Sequence, residues 1–338
     1  MESKPAIKIR PLGFPWETLD PFIFCAYHND KFPKGNAVLG PDASLAGRNI
    51  GQDFRIKDGW RMYHGEKVPG FPNHPHRGFE TITVVEQGFV DHFDSLGASG
   101  RYGKGDVQWM TAGKGVQHAE MFPLINQDSE NTTELFQIWL NLPKAKKMAD
   151  PHYKMLWNET IPVVKQTGDN GKTVEVRLVA GTLDGAQAPD PTPESWAANP
   201  ENEVLILTIK VEAGANFTLP LASQEASRML YFYRGAGLKI NQELIPENHS
   251  IQVEANAVIN LLAGAEDCFL LLLQGKPLHE PVVQYGPFVM NTEAEIRQAF
   301  QDYQRTQFGG WPWSEREPVN GREIGRFALY ADGSKEIR

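Results

Sequence analysis

The sequence predicts an all-β chain of two barrel-like domains, each a β-barrel or jelly-roll, followed by one short C-terminal helix. Three observations carry that prediction. The 338 residues exceed what a single core usually fills, 31 Gly and 24 Pro supply many turns, and short strand-like runs recur in two groups.

The first fourteen residues carry Lys4, Lys8 and Arg10 but no apolar run with a small-residue cleavage site, so they do not read as a secretory leader. From about residue 20 to 72 the chain is rich in Gly, Pro, Asn and Asp, which predicts an irregular lead-in with one or two short strands. Strand-like runs then follow at 79–86, 89–94, 106–111, 118–122 and 135–141, separated by Gln87-Gly88, by 97–100 and by Gly113-Lys114-Gly115. The stretch 143–151, with Lys144, Lys146 and Lys147, reads as an exposed linker that closes a first domain over 1–150.

A second domain over 151–338 begins with runs at 174–180 and 204–211, between which 186–202 reads as a long surface loop pinned by Trp196. Runs at 229–233, 238–240, 250–253, 258–262 and 268–274 complete a second set of similar size. Thr292 suits an N-cap, and Ile296, Ala299, Phe300 and Tyr303 at helical spacing predict one amphipathic helix. The aromatic tail 308–313 is expected to cover an apolar surface.

Bulk properties exclude several classes. A net charge of −9 argues against direct nucleic-acid binding, which needs clustered Lys and Arg. The most apolar stretch, 258–273, is interrupted by Gly264, Glu266 and Asp267, so no membrane span is expected. Cys25 and Cys268 stand far apart outside any thiolate motif, which suits a reducing cytoplasm. No glycine fingerprint for a nucleotide opens a helix.

The chemistry concentrates in two tight pairs, His74-Pro75-His76 and His118-Ala119-Glu120. In extended chain, residues i and i+2 share a face, so each pair projects both side chains into one space. One such pair alone is an ordinary polar surface, whereas two pairs on adjacent strands close a site. Nitrogen and oxygen donors without sulfur suit Fe, Mn, Ni, Cu or Zn, and leave coordination positions for substrate, water or dioxygen. Of the other histidines, His92, His28, His64 and His152 read as solvated positions, and His249 and His279 stand alone, so no second metal site is expected.

The segments HPHRGFET (74–81) and GDVQWMTAGKGVQHAEM (105–121) resemble the two signature segments of the pirin family, within the cupin superfamily. The resemblance extends to LFQIWLNLP (135–143) and, less closely, to VQYGPFVMN (283–291). It implies a two-domain cupin whose first domain alone holds a metal, most often Fe(II), through His74, His76, His118 and Glu120. Glu80 sits where other cupins place a carboxylate ligand, and is expected behind the ligands instead of on the ion. The resemblance further implies flavonol 2,3-dioxygenase activity, as on quercetin, with dioxygen opening the central ring and carbon monoxide released. Glu120 is then both ligand and base, and the partners are a small aromatic substrate and dioxygen. Phe79, Trp109, Met110 and Phe122 are candidates for an apolar wall, with Gln137 or Trp139 equally able to face the cavity. The alternative is an iron-binding, redox-sensitive regulatory protein that contacts transcription factors or metabolic enzymes without turnover. One departure from many pirins is a long insert at about residues 32–65, expected to reshape the pocket mouth.

Overall fold

The computed structural model describes residues 7–338, and within them the chain is mostly β. The first strands are β1 (Ile7–Pro11), β2 (Phe22–Phe32), β3 (Gly70–His76), β4 (Phe79–Gln87) and β5 (Phe89–Asp94). They are followed by β6 (Ser99–Gly103), β7 (Val107–Thr111), β8 (Val116–Met121), β9 (Asn131–Asn141) and β10 (His152–Leu156). Next come β11 (Val163–Thr167), β12 (Thr173–Ala180), β13 (Thr182–Leu183), β14 (Ala186–Gln187), β15 (Leu205–Val211) and β16 (Asn216–Thr218). The set continues with β17 (Ser227–Arg234), β18 (Lys239–Ile240), β19 (Glu243–Leu244), β20 (His249–Val253), β21 (Asn260–Leu262) and β22 (Cys268–Gly275). The chain ends with β23 (Val283–Tyr285), β24 (Phe288–Met290), helix α1 (Glu293–Thr306), β25 (Phe327–Leu329) and β26 (Lys335–Ile337).

Two compact units form, and neither is contiguous in sequence. One comprises the described residues up to Cys25 with Glu159–His279; the other comprises Ala26–Asn158 with Glu280–Arg338. The expected division at residue 150 followed the chain linearly, whereas the structure returns its last segment to the unit that contains the two ligand pairs. The reason is packing. Helix α1, capped by Thr292 Oγ1 accepting from Glu295 N at 3.2 Å, lays Ile296 and Ala299 against Phe288 and Phe308, and Arg77 pairs with Asp302 at 2.8 Å. Arg101 reinforces this return by donating to the carbonyls of Asn320, Gly321 and Ile324.

The ligand-bearing unit is a sandwich of two sheets, ordered β10-β7-β4-β9-β2 and β26-β25-β6-β5-β8-β3. The unit around Glu159–His279 repeats the same pairings with its own strands. There β16 pairs β21, β17 pairs β20 and β22, and β18 pairs both β21 and β19, while β1 closes the edge beside β20. Its interior is filled with apolar side chains, among them Leu207, Leu230, Phe232, Leu270 and Leu272.

Two expectations are corrected here. The lead-in holds an 11-residue strand, β2, which escapes a search for apolar alternation because its inward positions include the buried polar residues His28 and Asp30. The stretch 143–151 is not wholly exposed: Lys147 is 1% accessible and donates to Gly78 O at 2.8 Å and Asn141 Oδ1 at 2.7 Å. Trp196 does pin the 186–202 loop, donating from Nε1 to Lys276 O at 2.9 Å. No helix among the described residues is long and apolar enough to cross a membrane.

Candidate metal centre

The site is built by strand pairing. In the β3–β8 ladder His74 faces His118 directly, and the i, i+2 rule puts His76 on the face of His74 and Glu120 on the face of His118. On the other side of β8, β5 places Asp94 opposite His118 and His92 opposite Glu120. Gly70 permits the close approach of β3 at its start. Its φ is +132°, and a Cβ there would lie 2.5 Å from Glu120 O, so only glycine fits.

His74, His76 and His118 converge, with one ring nitrogen from each lying within 4.8 Å of the other two. The tautomers follow from their partners. His74 Nδ1 contacts Pro72 O at 2.8 Å and His76 Nδ1 contacts Pro287 O at 3.4 Å; a carbonyl only accepts, so both rings carry hydrogen on Nδ1. Their Nε2 lone pairs are left for the cluster. His74 Nε2 stands 3.0 Å from His118 Nε2, and His118 Nδ1 has no partner although it is buried. Burial, followed by the neighbouring imidazoles, pushes His118 and His76 well below the usual histidine range. Burial is also the main cause that takes His74 to about 4. Three buried imidazoles that converge and are disfavoured in their charged form are a donor set a divalent transition metal accepts, so the residues fit such an ion.

Glu120 stands beside this cluster and not within it. Its Oε2 lies 3.8 Å from His118 Nε2 and accepts from Gln137 Nε2 at 2.7 Å. Its Oε1 accepts from Thr83 Oγ1 at 2.8 Å and from the Tyr102 hydroxyl at 3.2 Å. Burial raises its pKa, opposed by the Thr83, Tyr102 and Gln137 hydrogen bonds and by His92. Glu80 is buried and accepts from Thr111 Oγ1 at 2.7 Å; its odd-numbered offset from Thr83 puts it on the opposite face of β4.

Residues that sequence reasoning read as solvated form part of the surroundings. His92 is fully buried, with Nε2 at 3.3 Å from Asp94 Oδ2 and Nδ1 accepting from Gln108 Nε2 at 2.7 Å, and its ring stacks on Tyr153. His28 is also buried and is pushed down to about 3, by burial first and the Arg61 charge second. The signal for His92 was available: with Asp94 it occupies alternate positions of a strand paired to the ligand strand.

Among the wall candidates, Phe79 contacts His76 at 5.0 Å between ring centroids and Trp139 at 4.3 Å, and Trp139 itself reaches His76 at 5.5 Å. Register sets Met110 opposite Thr81 and Gln137 opposite Thr83, on the inward face. Trp109 pairs with Ile82 instead, and therefore points away from the cluster. Phe122 joins an aromatic group with Phe71, Tyr63 and His28.

Two barrels of this topology, one of them carrying imidazoles and a carboxylate on adjacent strands, define a cupin-type fold with a candidate metal site. The comparisons narrow the class. A family model described as Pirin matches residues 12–140, and one described as Pirin C-terminal cupin domain matches 206–309. Pirin-1 of Arabidopsis thaliana is 36% identical over 244 residues, covering 71% of this chain and 78% of that protein. Pirin of Mus musculus is 36% identical over 252 residues, covering 73% and 80%. The chain therefore belongs to the pirin family. Among solved structures, quercetin 2,3-dioxygenase from Acinetobacter baumannii superposes with a TM-score of 0.68 at 30% identity, covering 86% of each chain.

Proposed function

We propose that this chain is a metal-dependent dioxygenase of the pirin type, acting on a flavonol such as quercetin with dioxygen and releasing carbon monoxide. The observation that carries the reading is the convergence of His74, His76 and His118 next to a buried carboxylate whose two oxygens have different partners. The similarity to a solved quercetin 2,3-dioxygenase supports the substrate class.

In this reading His74, His76, His118 and Glu120 hold one divalent ion, most simply Fe(II). Bound there, such an ion would supply Lewis acidity and redox capacity toward the substrate's adjacent hydroxyl and carbonyl oxygens. The protein's own groups do the rest. Glu120 Oε2, the oxygen nearer the histidines, takes the proton of the flavonol hydroxyl, while Thr83 and Tyr102 hold Oε1 in place. Gln137 keeps Oε2 directed inward until that transfer. Phe79 and Trp139, in contact at 4.3 Å between centroids, give an apolar wall for an aromatic substrate. The electrons come from the flavonol, so no nicotinamide, flavin or 2-oxo acid takes part.

The test is metal content of the purified protein measured together with aerobic loss of the quercetin absorbance band and release of carbon monoxide, with His118→Ala as control. Turnover that follows metal content supports the proposal. Bound iron without turnover refutes it and leaves a regulatory role.

A further inference from the structure

The insert at residues 32–65 ends against the start of β3, the strand that carries His74 and His76, and one of its side chains has an unused hydrogen-bonding atom. His64 is half-buried, and its Nδ1 lies 2.8 Å from Gly51 O. Because a carbonyl only accepts, the ring hydrogen is on Nδ1, and the neutral ring offers a lone pair at Nε2. Nε2 has no protein partner among the described residues.

The position of this ring is fixed by more structure than a surface loop needs. His64 N donates to Gly70 O at 3.1 Å, which ties it to the start of the strand that carries His74 and His76. The preceding residue, Tyr63, has a φ of +59°, an unusual conformation for an aromatic residue. It is held there by a buried network: the Tyr63 hydroxyl donates to Asp30 Oδ2 at 2.5 Å and accepts from His28 Nδ1 at 2.8 Å, while Arg61 grips both Asp30 oxygens at 3.0 Å. Asp53 and Tyr63 exchange backbone hydrogen bonds, and the amides of Glu66 and Lys67 donate to the Glu317 carboxylate. The chain is clamped on both sides of His64.

This ring is linked to the cluster through one shared aromatic neighbour. His64 packs edge-on against Phe71 at 5.8 Å between centroids and against Phe54 at 4.9 Å, and the same Phe71 ring lies 6.4 Å from His74. Phe71 thus touches both imidazoles, whose centroids lie no farther apart than the sum of these two contacts, a span that a three-ring molecule covers.

We propose that His64 is a substrate-positioning residue: Nε2 accepts a hydrogen bond from a phenolic hydroxyl on the part of a flavonol remote from the three histidines. The site would then favour polyhydroxylated flavonols over those that carry only the hydroxyl next to the carbonyl. This inference rests on the flavonol reading of the same site. His64 does not touch the reacting atoms; it selects and orients.

The experiment measures binding separately from turnover. Protein loaded with zinc, which cannot change oxidation state, is titrated anaerobically with quercetin and with 3-hydroxyflavone, for wild type, His64→Leu and His64→Gln. His64→Leu is expected to weaken quercetin by about 3- to 10-fold, the worth of one neutral hydrogen bond, with 3-hydroxyflavone unchanged. His64→Gln, which keeps an acceptor, is expected to restore most of the difference. An equal loss for both ligands, or no loss for either, overturns the assignment. If wild type binds both flavonols but the iron-loaded protein turns over neither, the dioxygenase reading fails while the binding ratio still decides the role of His64. If wild type binds neither, both readings fall.

Discussion

The hydrogen bonds on Glu120 make a quantitative prediction about metal affinity. Three donors reach this carboxylate, and two of them, Thr83 and Tyr102, share Oε1 while Gln137 alone serves Oε2. Groups that orient a metal-binding carboxylate typically change metal affinity by about 10- to 100-fold when removed. Thr83→Val deletes the shorter of the two Oε1 bonds but leaves Tyr102, so the expected loss is about 10-fold, or ~1.4 kcal/mol. The double variant Thr83→Val with Tyr102→Phe strips Oε1 of both hydroxyls, and the expected loss approaches ~100-fold. The assay is competition of chelator-stripped protein against a fluorescent chelator for Co(II), with circular dichroism to verify the fold. Wild-type affinity in a folded double variant would refute the idea that Glu120 is positioned for the ion.

Further expectations concern the ligands and the frame around them. His118→Ala is expected to remove most bound metal, while His249→Ala, whose Nδ1 only reaches Glu247 O in the other unit, leaves stoichiometry unchanged by elemental analysis. Asp91→Ala leaves the buried Arg101 guanidinium without its carboxylate, which it contacts twice at 2.7 Å. The expected destabilisation is about 3–5 kcal/mol by urea titration, with faster proteolysis of the segment holding Asn320 and Ile324. Lys147 is held down to about 8 by burial, against 10.5 for an ordinary lysine, with Glu280 and Glu295 opposing the shift. Between those values the unfolded chain keeps a proton that the folded chain has released, so stability rises with pH across the window, by on the order of 3 kcal/mol. In Lys147→Met the rise between pH 8 and 10.5 is expected to disappear; a variant with the wild-type slope would assign that rise to another group.

The parts of this fold that were legible in the sequence are those governed by short-range periodicity. The pairs His74/His76 and His118/Glu120 could be placed on paired strands because strand geometry puts i and i+2 on one face, and the Thr292 cap declared α1 because its partner is three residues away. What remained hidden depends on distant partners. His92 lies between Asp91 and Asp94, which look like surface charges. Asp91 is instead neutralised by Arg101, and Asp94 by the amides of Leu96 and Ala98. Strand β2 was obscured because His28 and Asp30 are paid for by Tyr63 and Arg61, more than thirty residues later. Trp109 and Met110 are adjacent, so no composition argument could tell which faced the site until register with β4 was known. The return of the C-terminal segment to the ligand-bearing unit has no local signature at all.

The repeated topology also explains why one barrel suits a metal and the other does not. The strand pair β3–β8 of the first corresponds, by its pairings, to β16–β21 of the second. Where the first sets His74 opposite His118, the second sets Asn216, Phe217 and Thr218 opposite Leu262, Leu261 and Asn260. Phe217 and Leu261 are buried and belong to the aliphatic core, whereas Asn216, Thr218, Asn260 and Leu262 face solvent. The inward face of this pair is therefore apolar, and the volume that an ion and its substrate would need is occupied by packed side chains. An imidazole introduced at Phe217 would leave polar nitrogens among leucines without partners, a state that folding disfavours. The first barrel reduces that penalty because its polar interior carries matched donors and acceptors, with Thr83 and Gln137 donating to Glu120 and Gln108 donating to His92. Retention of a site thus depends on this whole polar lining as much as on the ligands themselves.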